Sequence, residues 1–336
     1  MADFLEWAQK ALERVTASLH REPASQTPAK KAGATPAPAP SRPPKAKSGV
    51  LSATGSSAAN WPSEALGFPP QFWVGTAQSV GLQREHNEDA LYAAHTIVAT
   101  GTYQSRSVGL FVVADGMGGH LHGEIASRAA IAAFTRHVWN HLLAHLHWSV
   151  DSAPPTEIYP VLHYAVAQAQ DQVLEAAPGG GTTLTAVLAL DQRLFITHIG
   201  DSRAYLYNPL TQELRLLTQD HTWVHRLEEM GELTPEEAAR HPHRNVLYKS
   251  LGQGSDSSAE ADISLERWAP GMMLLLCSDG LWDVVPDEAI QEVLAWASSP
   301  SAAAQRLVRM ANDAGGPDNI SVIVVAYRPT RAKRAP

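Results

Sequence analysis

Residues 184–207 read LTAVLALDQRLFITHIGDSRAYLY, and this stretch decides the fold. Leu184–Leu190 and Leu194–Ile199 are short apolar and β-branched runs, separated by the hairpin-type connection Asp191-Gln192. Ala204–Tyr207 follows at once, and Asn208–Gln212 offers a second turn, so residues 184–217 predict an antiparallel meander. Further out, Val108–Ala114, Met272–Leu276 and Ile320–Tyr327 read as strands. Helical periodicity occupies about 121–147, 156–176, 286–297 and 301–313. The helices come in pairs instead of alternating singly with strands. That argues against a doubly wound parallel sheet and for antiparallel sheets covered by helix pairs.

Acidic residues collect beside these runs in five short motifs. They are Arg84-Glu85-His86-Asn87-Glu88-Asp89, Asp115-Gly116-Met117-Gly118-Gly119-His120, Gly200-Asp201-Ser202-Arg203, Ser278-Asp279-Gly280 and Gly316-Pro317-Asp318-Asn319. Aspartate is poor in strands and costly to bury alone, so a set of them at strand ends needs a shared partner. Hard divalent cations, which take carboxylate, carbonyl and water oxygens, are the natural one. Asp115, closing Phe111–Ala114 and followed by glycines, is the best candidate to bridge two ions, and Asp279 is the second. For any one of these residues an Asx turn or cap is the commoner explanation. As a set, together with Arg84, they predict a binuclear metal hydrolase.

Rival phosphatase chemistries fail on spacing. A thiol phosphatase needs an Arg six residues after its Cys, but Asp283 stands six after Cys277. Cys277 ends an apolar run and reads as a packed core thiol. An aspartyl-phosphate enzyme wants a second Asp two residues on, whereas Asp279 is followed there by Leu281. Gly179-Gly180-Gly181-Thr182-Thr183 lacks the Lys of a P-loop and reads as a turn leading into a strand.

From about residue 73 to 327 the motifs and their order resemble the metal-dependent serine/threonine protein phosphatases of the type 2C class, in the bacterial form. The likeness includes Gly179–Thr185 and Arg244-Asn245-Val246-Leu247. It implies an α+β fold, a β-sandwich of two antiparallel sheets flanked on both sides by pairs of antiparallel helices, in four α-β-β-α layers. It implies Mn2+ or Mg2+ as cofactor, two ions and a third, weaker one. By the same likeness Asp115, Asp279 and Asp318 hold the first metal. Asp115 and the Gly116 carbonyl hold the second, with Glu88 and Asp89 reaching it or its waters, and Asp201 with Asp279 forms the third site. Arg84 binds the phosphoryl oxygens, a task suited to its planar fork of donors. The implied reaction is direct attack of a metal-bridging hydroxide on phosphoserine or phosphothreonine, opposing Ser/Thr kinases. Eukaryotic relatives carry a His two residues after the bridging Asp; here that position is Met117, which leaves His120 and a metal-bound water as the two candidate general acids. A binding or scaffold module on the same fold and a small-molecule phosphomonoesterase are the alternatives.

The rest of the chain sets the context. Residues 1–21 have the spacing of an amphipathic helix, read either as a docking element for an unknown partner or as a solvated helix. Residues 22–70 read as a Pro/Ala/Ser-rich linker and 329–336 as a basic tail, on either side of a catalytic domain at 71–328. Within that domain, about 220–251 reads as a helical flap: Gly231 stops one helix, and Thr234-Pro235-Glu236-Glu237 caps another. The formal charge is −8, and the basic excess at both ends makes the middle more acidic still, which argues against a nucleic-acid surface. One cysteine, no signal peptide and no membrane span predict a cytoplasmic protein. The expected state is a monomer acting on phosphorylated proteins beside a cognate Ser/Thr kinase. His137, His141 and His145 recur at i, i+4, i+8 beside His147, but no acid completes a zinc set, so they read as a solvated face, with Trp139 and Trp148 as core or rim.

Overall fold

The computed structural model describes residues 71–100, 104–118, 121–146, 155–253 and 260–328. The expected N-terminal helix and linker, the basic tail, His120, His147 and Trp148 lie outside these residues, as does the side chain of His145. In chain order the elements are β1 (Gln71–Ser79), β2 (Ala90–Thr100), β3 (Gln104–Ala114), β4 (Gly116–Met117), α1 (Leu121–Leu146) and α2 (Pro155–Ala176). Next come β5 (Gly181–Thr182), β6 (Leu184–Leu190), β7 (Arg193–Ile199), β8 (Arg203–Asn208), β9 (Glu213–Leu216), α3 (Trp223–Glu229) and α4 (Pro235–Ala239). The last are β10 (Asp262–Arg267), β11 (Met273–Cys277), α5 (Asp279–Trp282), α6 (Asp287–Trp296), α7 (Pro300–Asp313) and β12 (Ile320–Arg328).

One sheet has the order β1-β12-β11-β8-β9, the other β10-β7-β6-β3-β2, and their pairings are antiparallel. Strand periodicity explains the layers. In β3, Val108, Leu110, Val112 and Ala114 pack with α1 and α2, while Phe111 and Val113 turn to the other sheet. β12 mirrors this, with Ile320, Val322 and Val324 against α6 and α7, and Ile323, Val325 and Tyr327 facing inward. A strand buried on both faces has no polar side to display, which is why these segments are unbroken apolar runs. The result is the expected four-layer α-β-β-α arrangement.

The inter-sheet core closes at one end on aromatics. Phe72 lies 5.4 Å from Trp268 and 5.3 Å from Tyr327, and Trp268 donates to the Asp191 carbonyl at 2.8 Å. Phe111 is fully buried, edge-on to Phe72. Phe111→Ala is therefore expected to cost about 3–5 kcal/mol through lost transfer energy and an unfilled cavity, read as a lower urea midpoint.

The sequence reading does not anticipate β1, β2 and β10, three of the four sheet edges. Edge strands bury one side only. In β10 the residues Asp262, Ser264, Glu266 and Arg267 dilute the apolar signal. The capping box at Thr234 is present as expected: Thr234 Oγ1 accepts from Glu237 N at 3.2 Å, and Glu237 Oε2 accepts from Thr234 N at 2.9 Å. His137 and His141 stack at 3.9 Å, with a His141 ring nitrogen on the His137 carbonyl. Trp139 packs against the helical core and donates to Tyr92 Oη at 3.0 Å. No helix among the described residues is long and apolar enough to cross a membrane.

Candidate metal centre

Asp115 occupies the link between β3 and β4, and its backbone is fixed on every side. Its N–H donates to Thr183 Oγ1 at 2.9 Å, and its carbonyl accepts from Thr183 N–H and from Thr182 Oγ1, both at 2.9 Å. The two-residue β4–β5 ladder pairs Gly116 with Thr182 just beyond. A Cβ on Gly116 would stand 2.1 Å from the Gly123 carbonyl oxygen and 2.6 Å from that of Glu88, so only glycine lets α1 and the loop before β2 meet here. That approach brings the Glu88 backbone beside the Asp115 turn.

Asp279 does not end a strand, as the sequence reading has it. It is the first residue of α5, a single helical turn after β11. Ser278, at the N-cap position, makes no capping bond; its hydroxyl donates to Asp89 Oδ2 at 2.7 Å and accepts from Ser321 N–H at 2.9 Å. One serine thus ties Asp89 to the start of β12. At the far end of α5, Trp282 Nε1 donates to the Asp201 carbonyl at 3.0 Å. The Arg203 guanidinium lies 3.6 Å over the Trp282 ring and forks onto Asp220, at 3.0 Å through Nε and 2.7 Å through Nη2.

Arg84 extends from the loop between β1 and β2 and pairs with Asp318 at 2.6 Å. Asn319 organises that loop. Its side-chain amide donates to the carbonyls of Val80 and His86 at 2.8 and 2.9 Å, and its oxygen accepts from Glu88 N–H at 2.7 Å. Asn319→Ala leaves all three groups to find other partners and is expected to cost about 2–3 kcal/mol, measured by urea unfolding of metal-free protein. Asn319→Asp should do no better, because a carboxylate cannot donate to two carbonyls.

Five carboxylates share this basin, where burial and neighbouring charges raise proton affinity. Burial, then the Asp89, Asp279, Asp201 and Asp318 charges, push Asp115 well above the ordinary range. Burial and then Asp318 lift Asp279 to about 6, against a hydrogen bond with Asp115. Burial lifts Asp89 to about 7 even though Ser278 and Ser321 hydrogen-bond it. Asp201 is pushed well up by burial, Asp279 and Asp220. Partial burial works against the Arg84 charge, but the pair with Asp318 outweighs it.

Two observations test whether these residues suit divalent ions. Asp89 Oδ1 and Asp279 Oδ1 are buried without a hydrogen-bond partner, which is costly for a carboxylate. The donors are all hard oxygens, the set that Mg2+ and Mn2+ prefer. Among the described residues, however, no three His, Cys, Asp or Glu side chains stand close enough to hold an ion as they are. The residues fit the ions in kind: hard oxygens, buried and near enough to raise one another's proton affinity.

The structure thus brings together Arg84, Glu88, Asp89, Asp115, Gly116, Asp201, Asp279 and Asp318 at one rim of the sandwich; His120 is outside the described residues. Sequence reasoning gave no role to Asn319, Ser278, Trp282, Thr182 or Thr183. Thr182-Thr183 explains the miss, since two hydroxyls after glycines read equally well as a plain turn.

A sequence model of the protein phosphatase 2C family matches residues 83–314. The serine/threonine protein phosphatase PstP of Mycobacterium tuberculosis is 39% identical over 252 residues, 73% of this chain but 43% of that protein's own length. The serine/threonine phosphatase Stp of Listeria welshimeri is 34% identical over 247 residues, covering 73% of this chain and 92% of that one. The crystal structure of the PstP catalytic domain in complex with two manganese ions superposes with a TM-score of 0.59 at 35% identity, over 77% of this chain and 99% of that chain.

Proposed function

The chain belongs to the protein phosphatase 2C family, and from that premise we propose that it hydrolyses phosphoserine and phosphothreonine in proteins, using divalent metal ions. The observation that carries this reading is the basin of crowded carboxylates, with two buried oxygens lacking a partner, beside one arginine. Asp115, Asp279 and Asp318 are assigned to one ion, and Asp115 with the Gly116 carbonyl to a second, supported by Glu88 and Asp89. Asp201 with Asp279 is assigned to a third. When bound, the ions supply Lewis acidity and acidify a water for attack at phosphorus.

The chain's own residues do the rest. Arg84 sits at the mouth of the basin, where its exposed guanidinium can exchange Asp318 for the phosphoryl oxygens of a substrate. The Thr182–Thr183 bonds hold the Asp115 backbone, so its carboxylate needs little reorganisation as charge develops. The loop carrying Arg84 is exposed, which suits a phosphorylated side chain presented on a protein surface.

The test is phosphate release from a phosphothreonine peptide and from p-nitrophenyl phosphate, with Mn2+, Mg2+ or EDTA. Metal-dependent release that favours the peptide supports the assignment. Preference for the small ester would redirect it to small-molecule phosphomonoesters. No release from either substrate by folded, metal-supplied protein would leave a binding module.

A further inference from the structure

His221, just before α3, grips the turn that carries Asp201 with both its backbone and its side chain. Its N–H donates to the Gly200 carbonyl at 2.8 Å, and its Nδ1 faces the Gly200 N–H at 3.0 Å. A backbone N–H can only donate, so Nδ1 must be the unprotonated nitrogen. On the other side, Nε2 lies 3.0 Å from Asp262 Oδ2, and Asp262 Oδ1 lies 3.3 Å from Lys249 Nζ. A carboxylate paired with a lysine can only accept, so Nε2 carries the proton. The ring is 2% exposed and lies 4.8 Å from the His198 ring, tilted 30° to it. Gly200 itself has φ +107°, and a Cβ there would meet Thr183 Cγ2 at 2.5 Å. Only glycine fits this turn without strain.

The same histidine is also the root of the flap. Tyr248 N–H donates to the His221 carbonyl at 2.9 Å, and Thr222 bridges Leu247. We propose that His221 is a positioning residue whose Nε2–H tautomer, fixed by Asp262 and Lys249, holds the Gly200–Asp201 turn in the geometry the acidic basin uses. The consequence for catalysis rests on the assignment of Asp201 to a metal; the tautomer and the grip do not.

Asp262→Asn gives a sharp test, because Lys249 constrains the new amide. Lys249 draws the amide oxygen to itself, which leaves the NH2 facing His221. That donor drives the ring to the Nδ1–H tautomer, which cannot accept from Gly200 N–H. Asp262→Ala merely lets water take the Nε2 proton. In the full chain, two-bond 1H–15N correlations of the histidine rings report the tautomer, and hydrogen exchange reports the Gly200 amide, both without metal or substrate.

The expected result is Nε2–H in the wild type and in Asp262→Ala, and Nδ1–H in Asp262→Asn. Exchange at Gly200 should speed up about tenfold or more in the Asn variant alone, the value of one buried hydrogen bond. Adding Lys249→Met to Asp262→Asn frees the amide to turn over and should restore the wild-type tautomer. A paired Asp262 that served stability alone would make alanine at least as damaging as asparagine. That order, or an unchanged tautomer in Asp262→Asn, overturns the proposal. A wild type without phosphatase activity would sink the metal assignment and leave the tautomer result standing.

Discussion

Asp279→Asn is expected to lower turnover of a phosphothreonine peptide about a thousandfold or more, the scale of removing a principal charge-stabilising group. In EDTA the same variant should melt higher than the wild type. The sign follows from linkage. A carboxylate held above its unfolded value, here about 6 against 3.8, contributes fully to stability below 3.8 and loses that contribution as pH rises through about 6. At neutral pH the metal-free wild type therefore carries the cost of a buried charge, and after it the repulsion from Asp318, which the amide lacks. After allowance for partial solvent access the relief is about 1–2 kcal/mol, or about 2–8 °C in a domain of this size. Scanning calorimetry of both proteins in EDTA checks it. A lower Tm for the variant would mean that Asp279 holds the fold together, and that loss of activity says little about metal.

The second large effect is that of the metal itself as pH changes. Saturating Mn2+ should raise Tm by about 10 °C over EDTA-treated protein near pH 8, as expected for a ligand some hundred to a thousand times above its Kd. The gap should close by about pH 5, where Asp89 and Asp279, with values of about 7 and 6, hold protons that compete with the ion. A gap of constant size across that range would contradict binding by these carboxylates.

Much of this was readable in the residues, for reasons that differ along the chain. β6, β7, β11 and β12 are buried on both faces, so their runs are unbroken and periodicity finds them. β1 and β10 bury one face at a sheet edge and carry a mixed pattern that periodicity passes over. The acids were legible because charge at the end of an apolar run is expensive. The groups that aim them were not. Asn319, Ser278 and the Thr182–Thr183 hydroxyls are common residues whose value lies in partners up to 239 positions away. Asp279 shows the limit from the other side. Its role was visible, but its place in a four-residue helical turn was not, because one turn is too short to show a period.

Cys277 is the chain's single thiol, fully buried in β11 against α6 and α7, with burial pushing its thiol well up. Maleimides and other thiolate-seeking reagents should pass it by in the folded protein. The native chain is thus a silent background for spectroscopy. A cysteine placed on the outer face of α4, for instance Glu236→Cys, would accept a fluorophore or spin label at one defined point. That label would let the helical segment between Trp223 and Ala239 be followed in real time as substrate and metal are added, with no need to engineer away a competing sulfur.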